Sequence, residues 1–402
     1  MNELNALELL KKQVPEMESE LVRILNFWST TAVDDGFGGF VGQVDHWGKT
    51  NPRALKGVVL NARILWTFSA AYKHLGNEQY RSLAARAFDY LLNYFWDVEN
   101  GGLIWSVDFE GHPLNTRKQA YAQGFGIYAF SEYFRATGNK ESLVFAKKLY
   151  EILESKFKDK TNGGYLEALD ASWNRMEDMR LSLKDDNSPK SMNTHLHILE
   201  PYTNLYRVSP DEKLKQNISD LLSIFSDKII DRETGHFNLF FDDDWTVQST
   251  MVSYGHDIEG AWLMNEAAME IDDNQLIQPI QGIALKMVDA TVREAMTADG
   301  SIYYEKEGDH LDKDRHWWPQ AEAMVGLTDA WQISGDESYL QLAGKTWDFI
   351  QQNLLDREHG EWFWSIRDDG KPNDKEDKAG FWKCPYHNTR ALIEIIHRLA
   401  KQ

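Results

Sequence analysis

One phrase occurs six times in this chain, and that recurrence restricts the fold more than any single motif. Each copy sets an acid or asparagine near glycine, runs on through a short aromatic, β-prone stretch and ends in polar turn residues. The copies are Asp35–Val44, Asn100–Val107, Asn162–Glu167, Gly235–Phe241, Gly300–Glu305 and Gly360–Ile366. Their leading glycines, at 38, 101, 163, 235, 300 and 360, stand 63, 62, 72, 65 and 60 residues apart. Two helical patterns fill each interval. One set, about 53–74, 116–137, 189–207, 252–272, 317–334 and 385–400, is apolar on most faces, as buried helices are. The other, near 5–28, 78–95, 140–157, 211–229, 275–296 and 337–354, carries its charges on one face and reads as an outer layer. Helix pairs that each need a face buried stack as a solenoid or close as a ring, and no atypical capping repeat marks either end. The expectation is an all-α chain, an (α/α)6 barrel of twelve helices in two concentric layers with short β-hairpins at one end. With no Pro/Ser/Gly-rich linker to divide it, 1–402 reads as a single domain.

Closure has a chemical consequence. Each hairpin leads into an inner helix, so six helix N-termini, with their unpaired N–H groups and positive dipole ends, meet at one end of the barrel. The polar and aromatic residues near those starts that packing does not explain are Arg63, Tyr121, Asn193, His197, His256, Glu259, Trp317, Trp318, Glu322, Trp382 and His387. Arg63 lies in an apolar run and requires an acidic or oxygen-rich partner, which an internal ion pair or a ligand would equally supply. Asn193 and His197 share a face at i,i+4, whereas His195 and His197 do not and make a poor chelate. His256 and Glu259 share a face at i,i+3, where the carboxylate can support a charged imidazole. His387 falls in the first turn of the last helix, behind Pro385 at the first helical position, where the dipole keeps an imidazole neutral and able to accept a proton. Pro201 in the sixth helix predicts a kink that shifts His197.

Composition narrows the partners. A net charge of −20, evenly spread, excludes nucleic acid and anionic membranes and leaves neutral or small substrates. Cys384 is the one cysteine, so there is no internal disulfide, and no cluster has the spacing of metal ligands. The first eight residues offer neither a basic nor an apolar stretch, and no apolar run reaches 18 residues, so a cytoplasmic location is expected. Fifteen Trp exceed what a core of this size needs, and flat indole faces suit the C–H face of a sugar ring as well as they suit packing.

Asn61-Ala-Arg-Ile-Leu-Trp-Thr-Phe68, Ser191-Met-Asn-Thr-His-Leu-His-Ile-Leu-Glu200, Tyr254-Gly-His-Asp-Ile-Glu259, His316-Trp-Trp-Pro-Gln-Ala-Glu-Ala323 and Phe381-Trp-Lys-Cys-Pro-Tyr-His-Asn-Thr-Arg-Ala391 together resemble the cellobiose 2-epimerases of the N-acylglucosamine 2-epimerase family, over nearly the whole chain. The resemblance implies an (α/α)6 barrel that interconverts an aldose with its C2 epimer, with no cofactor and no metal. Carried over by position, it implies His256 and His387 as the acid/base pair, with the other rim residues around the sugar. The expected partner is a small-molecule sugar, and the chain is expected to be a monomer. Three other readings stay open: a mannose 2-epimerase or aldose–ketose isomerase acting on monosaccharides, an (α/α)6 glycoside hydrolase using two carboxylates, and a non-catalytic sugar-binding module.

Overall fold

The computed structural model describes residues 5–401, which leaves the first four of the residues behind the N-terminal reading outside the description. The inner helices are α2 (Val58–Leu75), α4 (Ala120–Thr137), α6 (Met192–Val208), α8 (Tyr254–Glu270), α10 (Trp317–Ser334) and α12 (Tyr386–Ala400). Each packs on the next, and α12 returns to α2, so the ring is closed. Around them run α1 (Ala6–Thr30), α3 (Glu78–Tyr90), α5 (Lys140–Ile152), α7 (Glu212–Ile224), α9 (Asn274–Ala295) and α11 (Glu337–Phe349). The two layers differ as their sequences require: every residue of α2 from Val58 to Ala71 is buried, whereas α3 buries one stripe of Tyr80, Ala84, Ala87, Phe88 and Tyr90. The twelve-helix (α/α)6 barrel is thus present. No helix among the described residues is long and apolar enough to cross a membrane.

At the end opposite the hairpins, α2, α4 and α10 stop on Gly76, Gly138 and Gly335, each left-handed at φ 67, 74 and 78°. Asn77, Asn139 and Asp336 follow at once and cap the outer helices through their side chains, so the chain reverses in two residues.

At the hairpin end the six repeats are alike. Bridges Val33–Phe40, Trp96–Leu103, Lys158–Tyr165, Ile230–Phe237, Met296–Ile302 and Leu355–Trp362 form the hairpins. The two residues before each inner helix then pair with the hairpin of the following repeat: Lys56–Gly57 with Ser106–Val107, Lys118–Gln119 with Ala168–Leu169, Lys190–Ser191 with Phe240–Phe241, Val252–Ser253 with Glu305–Lys306, and Arg315–His316 with Ser365–Ile366. In the last repeat Ala379 bridges Val44, tying the end of the chain to its first hairpin. These pairings correct the expected helix starts near 53, 116 and 189, because the residues there give their backbone bonds to a neighbouring hairpin instead of a helical turn. Pro385 is likewise the residue before α12, not its first.

Two side-chain devices lock this end. Lys56, Lys118, Lys190 and Lys378 are fully buried and bond Asp34, Asp97, Asp159 and Asp356 at 2.7–2.8 Å. The fourth residue of five inner helices reaches its own turn or a hairpin backbone: Asn61 bonds Gly57 O, Gln123 and Gln320 each bond both N–H and C=O of Leu103 and Ile302, His195 accepts from Tyr165 N, and Asp257 accepts from Phe237 N. His195 is thereby a structural latch. With position four turned to the hairpins, positions two and six share another face.

The predicted bend in α6 is present, and its centre is His197 (φ −87°, ψ 16°). Pro201 has no N–H for the His197 carbonyl, and Gly124 of α4 lies so close that an added Cβ would stand 2.2 Å from that oxygen. Gly124→Ala should therefore force α4 and α6 apart and destabilise the fold by about 1–3 kcal/mol, as overpacking does. A lowered thermal midpoint checks this, and an unchanged midpoint contradicts it.

Candidate active site

Positions two and six of the inner helices carry most of the residues that the sequence singles out. Tyr121, Asn193, Trp318 and His387 are second residues; Arg63, His197, Glu259 and Glu322 are sixth residues. Apart from Asn193, they form one continuous cluster. Arg63 Nη2 donates to Tyr121 Oη at 2.8 Å, and its guanidinium lies 4.2 Å over Phe125. Tyr121 packs on His197 with ring centroids 5.0 Å apart and on Trp382 at 6.1 Å. His197 Nδ1 bonds Glu200 Oε2 at 3.0 Å. On the other side, His387 Nδ1 bonds Glu322 Oε1 at 2.7 Å. The ring of Trp318 is flanked by His256 at 4.7 Å and His387 at 5.5 Å. Trp317 points to the cluster's edge, against Trp364 and beneath the Lys383 ammonium at 4.7 Å. Asn193 is half-buried, and its Oδ1 has no hydrogen-bond partner.

Arg63 makes no ion pair among the described residues; a thiol, a phenol and aromatic faces surround it instead. A buried guanidinium left without a carboxylate keeps its field for an anion that arrives or develops later. Burial, and then the charges of His197, His387 and Arg63, push the His256 imidazole down to about 3. Burial and the charges of Arg63 and Arg390 hold His387 well below the usual range. Both rings are therefore uncharged at neutral pH. Burial raises Glu200 as well, but Arg390 and His197 outweigh it and bring that carboxyl to about 2. Glu259 is driven well above the usual carboxylate range by burial and by the charge of Glu322. Its Oε2 has no partner, whereas both oxygens of Glu200 and Glu322 are bonded.

Two expectations change. Glu259 does not support His256: its Oε1 pairs with Arg390 at 2.7 Å, a full charge that outcompetes a neutral imidazole, and His256 Nδ1 is held by Ser253 Oγ at 2.8 Å. Folding also assembles a donor set that chain spacing could not reveal, since Glu259, Glu322 and His387 offer ligand atoms within 4.8 Å of one another. Arg390 Nη2 donates to both carboxylates, so a guanidinium takes the place a metal cation would need. A groove of about 510 Å³ between α7 and α9 is lined by other residues and contains none of this cluster.

The N-acylglucosamine 2-epimerase family model matches residues 38–391. The chain belongs to that family. It is 50% identical to a cellobiose 2-epimerase of Bacteroides fragilis, over 97% of this chain and 99% of the relative. With one of Dictyoglomus turgidum it shares 40% over 98% and 100%. The solved cellobiose 2-epimerase of Bacillus thermoamylovorans superposes with a TM-score of 0.93 at 39% identity, covering 96% of this chain and all of that one. The protein is therefore an enzyme, a carbohydrate epimerase. Within this family member, the residues that sequence reasoning passed over are Arg390, Glu200, Trp262 and Tyr386. Arg390 had the same signal as Arg63, a charge in an apolar inner helix, and lies i,i+3 from His387; Glu200 lies i,i+3 from His197.

Buried Trp318 and half-buried Trp382 are the aromatics of the cluster expected to meet the sugar. Replacing either by Ala should remove about 0.5–1.5 kcal/mol of ring contact and weaken substrate use in a folded protein. Steady-state kinetics check this, and unchanged constants for both variants would make them packing residues alone.

Proposed function

We propose that the enzyme inverts C2 of the reducing-end sugar in β-1,4-linked disaccharides, converting glucose to mannose configuration in cellobiose and lactose, by ring opening and a cis-enediolate. The observation that carries this reading is the pair of uncharged imidazoles, His256 and His387, on separate helices and both against the ring of Trp318. The full-length likeness to cellobiose 2-epimerases supports the disaccharide.

The C2 proton is acidic only when C1 is a carbonyl. Ring opening moves a proton from O1 to O5: one imidazole takes the O1 proton while protonated Glu259 delivers one to O5 as the C1–O5 bond breaks. The other imidazole then removes the C2 proton, and the electron pair passes through C2–C1 to O1. Arg63, with no carboxylate to neutralise it, stabilises that oxyanion, while His197, its Nδ1 turned to Glu200, faces a sugar hydroxyl with Nε2. The imidazolium formed during opening protonates C2 from the opposite face, which a single fixed base does not reach. Closure returns the O5 proton to Glu259, and O1 receives the proton taken from C2. Glycoside hydrolysis is disfavoured because Glu259 and Glu322 are both held by Arg390 instead of standing free on either side of a bond.

Incubation with cellobiose, lactose and mannose followed by sugar chromatography tests the reading: an epimeric disaccharide is expected, and hydrolysis products or no conversion would overturn it. His256→Asn and His387→Asn should each lower turnover by about 10²–10⁴-fold. The pH profile has a defined sign. Because both imidazoles are displaced downward, kcat/KM should stay level as pH falls from 7 through 6.5 and drop only further into acid; a limb at 6.5 or above would contradict it.

A further inference from the structure

Two imidazoles of the cluster, His197 on α6 and His387 on α12, are held in the same way. Each presents Nδ1 to a buried carboxylate, Glu200 at 3.0 Å and Glu322 at 2.7 Å. For each ring, Nε2 has no hydrogen-bond partner among the described residues. The two carboxylates are not independent, because one side chain holds both. Arg390 Nη1 donates to Glu200 Oε1 and to Tyr386 Oη, which itself donates to Glu200 Oε1. Arg390 Nη2 donates to Glu322 Oε1 at 2.6 Å and to Glu259 Oε1 at 2.7 Å. The guanidinium plane is fixed between Tyr386 at 4.3 Å and Trp262 at 4.8 Å, and the residue is 1% exposed.

We infer that Arg390 is the positioning residue for both imidazoles: it orients Glu200 and Glu322 so that each accepts an Nδ1 hydrogen, which leaves Nε2 of His197 and of His387 as the atom offered to the sugar. Donors and acceptors fix the hydrogen positions. Burial pushes the Glu322 carboxyl up, but Trp262 Nε1–H and Arg390 Nη2–H both donate to its anionic form, and with those donors on its two oxygens the hydrogen between it and His387 is assigned to the ring. Glu200 receives Tyr386 O–H and Arg390 Nη1–H and stands in the same relation to His197. A planar fork supplies these two directions at once; an ammonium lacks that fixed geometry. The proposal rests on the two-histidine reading for its effect on rate, but the tautomers can be read without any turnover.

The test is ¹⁵N NMR of histidine-labelled protein beside kinetics on cellobiose. In the wild type, both rings should show a protonated Nδ1 and a bare Nε2. Arg390→Met should mix the tautomers of both rings and lower kcat about 10²-fold with KM little changed, as misplacement of a reacting group does. Arg390→Lys should restore part of kcat. If Arg390→Met does not fold, Glu200→Gln and Glu322→Gln divide the effect: the first should release His197 alone and the second His387 alone. Bare Nδ1 in the wild type, or Gln variants that leave both tautomers in place, would overturn the proposal. A wild type that shows both Nδ1–H rings yet epimerises no sugar would overturn the functional reading and leave this inference standing.

Discussion

A guanidinium cut off from water must be surrounded by acceptors, and Arg390 collects its acceptors from α6, α8 and α10 as well as from its own helix. The geometry of the site depends on that one requirement. Removing one partner of such a group leaves uncompensated charge behind, at a cost of about 3–5 kcal/mol. Two of those carboxylates, Glu200 and Glu322, are also what His197 and His387 lean on, so the group that satisfies the buried charge is the group that aims the rings. Arg63, a few residues into α2, is buried just as deeply but is given no acid. The contrast between a cation held by three carboxyl groups and a cation left bare separates a scaffold charge from one available to a developing oxyanion.

Ring closure makes this meeting possible. Six inner helices start at one end because each is fed by a hairpin, and the hairpins are bonded in sequence until Ala379 returns to Val44. Positions two and six of every inner helix then share a face, which is why residues hundreds of positions apart in the chain become neighbours. The barrel itself does not dictate the chemistry. One fold hosts many chemistries, so the reaction has to be argued from the residues on the rim.

Much of this was legible in the sequence because repetition is visible without a structure. Glycine spacing showed six units, and the apolar and half-polar helices showed two layers. Arg63 and the early histidines stood out against apolar surroundings. What stayed hidden was pairing across helices. Glu259 and His256 suggest each other by their i,i+3 spacing, yet Arg390, 131 residues from Glu259, takes the carboxylate. His195 and His197 look alike on paper; only the hairpin backbone shows that one is a latch. Helix starts expected at 53, 116 and 189 fall a few residues early because backbone bonds to a neighbouring repeat leave no local signal.

The central claim is that one face of C2 loses its proton to one imidazole while the other face gains a proton from a second. Turnover of the disaccharide in D₂O, with the product and the recovered substrate examined by proton NMR at C2, tests this most directly. A proton that passes through imidazoles exchanges with solvent, so the account predicts deuterium at C2 of the epimer from the first turnover. Epimer formed with its original hydrogen retained at C2 would contradict it.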